Sequence, residues 1–326
     1  MSRPSWCSSD VVLLDEDCPL PFDVPFTPQQ AATEGVPRGV LRVLYERGLV
    51  RRLLQGVYGV AQLPDTIGTR CAALRLVVPD SAIVTDRTAA WLHGVDIQYR
   101  SAPYVPPPIS VFSASGSRLR RPGVASGIRG LRSRDVTRID GLRVTTPLRT
   151  ACDLGRLLWR FDALAALDGF LRLGVDHDEL LAEVERYKGY RGVRQLRAFA
   201  PLADGRAESP PESALRLHWY DAGLPRPEPQ VWVYDDDGVA VFRVDLALEE
   251  VLFGAEFDGK EFHSSDEDRD YDADRRAWMT EHRKWTFEIF EAEDIYGRLA
   301  DPGPRLRAGI AKARQSISRW TLTRHS

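Results

Sequence analysis

Cysteine is scarce: Cys7, Cys18, Cys71 and Cys152 are the only four in 326 residues. They stand far apart with no CxxC pair, which offers no zinc framework and suits reduced thiols in a cytosolic protein. Long apolar runs are missing too, and nothing approaches the ~20 consecutive apolar residues that a membrane helix needs. The short apolar patch near the start is followed by acidic residues and preceded by a thin basic region, so a signal peptide is not expected. The expectation is a cytoplasmic protein without a membrane partner. The chain also lacks a GxxxxGKS/T loop, a GxGxxG turn opening a helix after a strand, and a GxSxG elbow. A sugar- or nucleotide-processing enzyme therefore finds little support.

Lysine is absent from a long stretch in which arginine abounds. Thr27 to Arg160 holds 20 Arg, no Lys and 9 acidic residues, whereas Asp235 to Asp301 holds 21 acidic residues against 8 basic ones. The net charge of -3 conceals this asymmetry. A basic front half suits contact with phosphate, because neutralising phosphates releases counterions and supplies sequence-independent affinity. The acidic rear half would repel the same backbone unless metal ions or its own basic residues screened it. With 43% hydrophobic and 28% charged residues the chain reads as soluble and globular, and its length predicts two or three domains.

Residues 1–26, rich in Asp, Pro and Ser, read as a poorly ordered or loosely docked tail. TPQQAATEG then predicts a short helix with Thr27 as N-cap, Pro28 at the first helical position and Gly35 at the end. PRGVLRVLYERG predicts a second helix with Val40, Leu41, Leu44 and Tyr45 on one face and Arg38, Arg42 and Glu46 opposite. LVRRLLQGVYGV reads as a hairpin turning at Gln55-Gly56. Helix, turn, helix and ribbon is the layout of a winged helix-turn-helix, in which Arg38 and Arg42 would face a DNA groove and Arg51 and Arg52 would sit on the wing. A small helical subdomain with a solvated arginine face would read the same way.

The run FTPQQAATEGVPRGVLRVLYERGLVRRLLQGVYGV resembles the N-terminal winged helix of AbiEi-type antitoxins, bacterial abortive-infection regulators. DSAIVTDRTAAWLHGVD and GLRVTTPLRTACDL resemble the segments that open and close the middle domain of those proteins. The resemblance covers roughly residues 26–200 and implies DNA binding, autoregulation and room for a partner toxin. Within this middle region RTAAWLHGV reads as an amphipathic helix, and PISVFSASG and GLRVTT read as strands. The block SRLRRPGVASGIRGLRSR carries Arg118, Arg120, Arg121, Arg129, Arg132 and Arg134 and reads as a basic loop or hairpin suited to phosphate. His93 reads as a packed or capping histidine. LGVDHDELLAEVERYKGYRGVRQLRAFAPL is helical with a glycine-rich interruption, and DGRAESPP reads as a linker.

Beyond it, SPPESALRLHWYDAGL predicts a helix capped by Ser209 with Glu212 in its first turn. QVWVYDDDG, VAVFRVDLAL and VLFGAEFDGK predict three antiparallel strands, DEDRDYDADRRAWMTEHRKW a charged helix, and TFEIFEAEDI a last strand. Period-two alternation puts Phe242, Val244, Leu246 and Leu248 on one face of the second strand, and Val241, Arg243, Asp245 and Ala247 on the other. Glu256, Asp258 and Lys260 share a face of the third. Asp245 and Glu256, with Glu212 from the helix, could converge on Mg²⁺ or Mn²⁺, which take hard oxygen ligands and promote phosphodiester hydrolysis. Lys260 would polarise the nucleophile or stabilise phosphate, and His263 would move a proton. Asp245 could equally be an edge residue or an ion-pair partner of Arg243 or Arg275.

PPESALR, RVDLALEE, AEFDGKEFH and DRRAWMTEHRKW resemble the Vsr-like branch of the PD-(D/E)xK nucleases. Asp258 stands where the ExK lysine is expected, and Lys260 follows two residues later, either as a migrated lysine or as a neutralising charge in an inactive site. The expected architecture is a multidomain α/β chain: tail 1–26, winged helix-turn-helix 27–62, mixed α/β middle domain 63–205, and a restriction-endonuclease-like α-β-β-β-α-β core with a C-terminal helix over 206–326. Two functions follow. One is a metal-dependent DNA endonuclease in phage defence or repair; the other is an antitoxin-type regulator whose nuclease-like domain is non-catalytic.

Overall fold

The computed structural model describes residues 6, 12–97, 109–113, 124–259 and 276–324, the last six by backbone alone. The chain divides into two compact units, Met1–Asp153 and Leu154–Ser326.

In the first unit the Thr27 hydroxyl accepts from the Gln30 amide, and the Gln30 side chain accepts from the Thr27 N–H. This reciprocal cap, with Pro28 pre-set for the first turn, starts α1 (Pro28–Thr33). Gly35, at φ +89, lets the chain reverse into α2 (Arg38–Glu46). Leu41 and Leu44 are buried from α2, while Arg38 and Arg42 point to solvent. β1 (Val50–Leu54) and β2 (Val57–Val60) pair antiparallel around Gly56, and Phe26 bridges to Tyr58.

The described part of the expected tail is docked. Trp6, Leu14, Cys18 and Leu20 are buried in one cluster with Phe26, Leu41 and Leu44, and the Leu14 carbonyl accepts from Gln62. Each such burial is worth roughly 1.5–3 kcal/mol, which outweighs the disordering tendency of the Asp and Pro residues between them.

α3 (Ile67–Arg75), β3 (Ile83–Val84), α4 (Asp86–His93), β4 (Ile109–Ser113), β5 (Val124–Ile128), β6 (Val136–Ile139), β7 (Leu142–Thr145) and α5 (Pro147–Leu157) follow. The five strands form one mixed sheet in the order β5-β4-β3-β7-β6, with β3 parallel to β7 and β4 parallel to β5. Leu74, Val84, Leu92, Ile109, Val111 and Val144 make its core. The segment read as a basic loop or hairpin thus holds a strand, β5, within its described part.

The second unit contains α6 (Arg160–Arg172), α7 (His177–Val184), α8 (Val193–Phe199) and α9 (Pro210–Asp221). Gly189 and Gly192, both at positive φ, form the break between α7 and α8. Arg216 of α9 pairs with Asp168 of α6 at 2.5 Å, both fully buried, and donates to the Leu202 carbonyl. Residues 160–205 therefore pack with the C-terminal elements, and the compact units divide at 153/154 rather than at the expected linker 204–211.

Ser209 caps α9 by accepting from the Glu212 N–H. β8 (Glu228–Tyr234), β9 (Ala240–Leu248) and β10 (Phe253–Phe257) form an antiparallel meander. Residues 276–283 are helical (α10), and β11 (Thr286–Phe290) returns parallel to β10, giving the order β11-β10-β9-β8. α11 (Ala292–Tyr296) and α12 (Gly303–Arg324) complete the chain. Among the described residues no helix is long and apolar enough to cross a membrane.

Strict alternation fails along β9. Ala247 packs with Phe242, Val244, Met279 and Trp285 in one apolar cluster, so the face pattern shifts by one residue between Val244 and Ala247. On the partner strand Val231 pairs with Val244 and Pro229 with Leu246, so the register is the same on both sides of Gln230 although it takes φ +55, and the β8–β9 register shift falls between Val233 and Tyr234.

Candidate functional site

Three elements of the second unit bring polar side chains together. From the first turn of α9, Glu212 is only 7% exposed. Its Oε1 accepts from the Ser209 hydroxyl at 2.7 Å, and its Oε2 accepts from the Glu208 N–H at 2.9 Å. The helix start explains this arrangement, since the cap residue and the first-turn acid satisfy one another. Asp245 lies in β9 and accepts from the Phe257 N–H at 3.0 Å through Oδ2. Between the two carboxylates sits the Gln230 amide, whose Nε2 donates to Glu212 Oε2 at 2.8 Å and to Asp245 Oδ1 at 3.3 Å.

Burial pushes the Asp245 carboxyl up to about 7, and the nearby Glu212 charge pushes in the same direction. The Phe257 N–H, Gln230 and Arg243 pull the other way. Asp245 is thus a proton-exchanging group at neutral pH rather than a fixed anion. Arg243 is no ion-pair partner for it: its guanidinium reaches Glu208, with Nη1 donating to Oε1 at 2.8 Å and Nη2 to Oε2 at 2.5 Å.

Glu256, on β10, is 9% exposed and turns toward Arg276 of α10 at 3.5 Å. Asp258 follows the end of β10, where its N–H continues the ladder to the Phe290 carbonyl at 2.8 Å. Lys260 and His263 lie outside the described residues, as does Arg275. Among the described residues no group of three His, Cys, Asp or Glu side chains gathers as a metal-binding set. The two carboxylates that come together are Glu212 and Asp245, with the Gln230 amide between them. Gln230 was invisible to sequence reasoning because neither residue type nor spacing marks an amide as part of an acidic site. Its one signal is position, directly across the β8–β9 ladder from Asp245.

In the first unit the candidate DNA-contacting arginines differ in what holds them. Arg38 is exposed, and Arg42 is 79% exposed with a 2.7 Å ion pair to Glu46. Arg51 is half-buried and donates to the Leu63 carbonyl. Arg52 stands 6.0 Å from the Tyr45 ring centroid. Arg118, Arg120 and Arg121 lie outside the described residues.

Arg129, read with them as part of a basic run, is half-buried. It pairs with Asp86 at 2.6 Å and Asp153 at 3.1 Å and lies 3.9 Å from the Phe112 ring centroid. Arg149 extends this network to Asp135 at 3.0 Å and Asp153 at 2.9 Å. His93 Nε2 donates to the Thr145 carbonyl, 2.8 Å away, and burial lowers its pKa. Arg132, Arg138 and Arg143 with Ser133 and Thr137 line an open pocket of about 390 Å³ that has no acidic residue in its wall among the described residues.

Residues 82–202 match the family model described as "AbiEi antitoxin C-terminal domain". Two relatives from Mycobacterium tuberculosis are 34% identical to the chain over 276 residues, covering 84% of it and 96% of each relative. They are "Uncharacterized protein MT2308" of strain CDC 1551 / Oshkosh and "Uncharacterized protein Rv2248" of strain ATCC 25618 / H37Rv. The chain belongs to the family of these mycobacterial proteins, and its middle part is similar to the AbiEi antitoxin C-terminal domain.

Proposed function

We propose that this protein is a DNA-binding regulator of the AbiEi antitoxin type. The observation that carries this reading is the AbiEi similarity over residues 82–202, which lies directly after a helix, turn, helix and ribbon with solvent-facing Arg38 and Arg42. A winged helix would place the exposed face of α2 in a major groove and the ribbon against the backbone. The arginine-lined pocket at Arg132, Arg138 and Arg143 would add phosphate contacts. A partner toxin is the expected protein ligand of such a regulator. The test is a mobility-shift titration of the purified protein on duplex DNA from upstream of its own gene. Saturable binding that weakens steeply with salt and is lost in Arg38→Ala/Arg42→Ala supports the reading; binding unchanged in that double variant sinks it.

A second reading is favoured by the Glu212–Gln230–Asp245 cluster: metal-dependent phosphodiester cleavage by a restriction-endonuclease-like domain. The element order α9, β8, β9, β10, α10, β11 supports that fold assignment. The donor set suits Mg²⁺ or Mn²⁺, which take one or two carboxylates with water and substrate phosphate, and Gln230 Oε1 is a buried oxygen with no hydrogen-bond partner among the described residues. Glu212 and Asp245 would hold the ion. When bound, it would supply a hydroxide and screen charge on the scissile phosphate. Glu256, Asp258, Lys260 and His263 would then act on phosphate or protons beside that pair. Incubation with plasmid and short duplexes under Mg²⁺ or Mn²⁺, beside Asp245→Ala and Glu212→Ala, tests it. Cleavage that survives in both variants refutes the site, and no cleavage on any substrate leaves the regulator alone.

A further inference from the structure

We infer that Gln230 is a positioning residue of the Glu212/Asp245 pair, whose amide clamps the two carboxylates together and turns over to present Oε1 when a divalent cation enters between them. The inference rests on the metal reading above and adds a residue and a motion to it.

Three observations converge. The Gln230 amide nitrogen lies within hydrogen-bonding distance of both carboxylates, at 2.8 Å from Glu212 Oε2 and 3.3 Å from Asp245 Oδ1. An –NH₂ group in that place does, as a donor, what a cation does: it lets two buried acids approach that would otherwise repel. Second, the other end of the same amide is unused among the described residues, where Gln230 Oε1 is buried without a partner. A buried amide oxygen left unsatisfied is costly, and rotation of the amide would exchange an N–H donor for a hard oxygen ligand at the point where an ion sits. Third, Gln230 holds φ +55 inside a strand. Glycine adopts that conformation without strain and glutamine does not, so the position keeps its side chain against a backbone cost. Its neighbours Pro229 and Val231 pair with Leu246 and Val244, which sets Gln230 across from Asp245.

The amide donates to both acids, and Gln230 is among the groups that hold the Asp245 carboxyl down. Removing the amide would leave the two acids repelling and would take away an oxygen ligand at once. Adding a carboxylate in its place would worsen repulsion in the metal-free protein while supplying the oxygen.

The experiment is a Mn²⁺ titration of the full chain, followed by electron paramagnetic resonance of the free ion. It compares the native protein with Gln230→Leu, Gln230→Glu and Asp245→Asn, each checked by circular dichroism and metal-free melting. The expected result is one saturable site that weakens at least tenfold in Gln230→Leu and stays within about threefold of native, or tightens, in Gln230→Glu. Gln230→Glu should also show the lower metal-free melting temperature and the larger rise on adding Mn²⁺. Equal binding by native protein and Gln230→Leu overturns the inference while leaving the metal reading intact. Tighter binding by Gln230→Leu overturns it as well, by making the amide a plug. Equal loss in both Gln230 variants with folded spectra reduces Gln230 to a structural residue and also overturns it. No saturable site in the native protein, or one untouched by Asp245→Asn, sinks the metal reading and the inference together.

Discussion

Asp245→Asn should stabilise the protein above neutral pH. Burial and the Glu212 charge hold the Asp245 carboxyl at about 7 in the folded chain, against an ordinary value of 3.8. A raised acid pKa means that the folded state binds its proton more tightly than the unfolded state does. Stability from this group is therefore greatest when both states are protonated and is lost as pH climbs from about 4 to about 7. At 1.36 kcal/mol per unit the loss is complete at about 4 kcal/mol by pH 8 and stands at about 2 kcal/mol at pH 5. An asparagine escapes that loss but must accept from the Phe257 N–H and turn its own amide toward Gln230. That turn disturbs the Gln230 donation to Glu212, at about 2 kcal/mol for a hydrogen bond to a charged group. The net expectation is a gain of about 2 kcal/mol at pH 8 and near equality at pH 5. Urea unfolding at the two pH values, followed by the fluorescence of Trp219, Trp278 and Trp285, measures it. An Asn variant less stable than native at pH 8, by a margin that does not change with pH, would refute the desolvated acid. A confirmed gain would mark Asp245 as a residue kept at the expense of stability, which is the signature of a site.

Other outcomes follow from the packing. Arg216→Met should cost about 3–5 kcal/mol by leaving Asp168 buried and uncompensated, and Arg216→Met/Asp168→Leu should recover most of it in the same urea assay. Gly192→Ala should lower the melting temperature far more than Gly189→Ala, although both sit at φ near +80. An added Cβ at Gly192 would fall 1.8 Å from the Arg156 carbonyl oxygen, while Gly189 faces open space. Equal effects would show that backbone conformation alone decides. Arg38→Ala should weaken DNA binding and reduce the slope of log affinity against log salt by about 0.9. Arg51→Ala should instead lower thermal stability, since its guanidinium serves the Leu63 carbonyl.

Much of the local structure was legible because it is decided within a few residues. Thr27 and Gln30, Ser209 and Glu212, and the turn at Gly56 are caps and reversals whose partners lie three or four positions away. Residue type alone identifies them. Alternation likewise placed three strands where β8, β9 and β10 stand, and the arginine-rich front half was plain from counting. The AbiEi likeness of the middle region was legible for the same reason, as its opening and closing segments are continuous stretches.

What the sequence by itself determined, then, is where elements start and stop, which half carries which charge, and that Glu212, Asp245 and Glu256 belong to adjoining elements. Only the tertiary structure decided which charges meet. Arg129 looked like its exposed neighbours but closes a half-buried network with Asp86 and Asp153, 43 and 24 positions away. Glu256 turns to Arg276, while Gln230 joins Glu212 and Asp245. The physical reason is one of range: caps and alternation are fixed by neighbours along the chain. Strand register, which sets Gln230 across from Asp245, and the pairing of buried charges are fixed by strands and helices that the fold brings together from far apart.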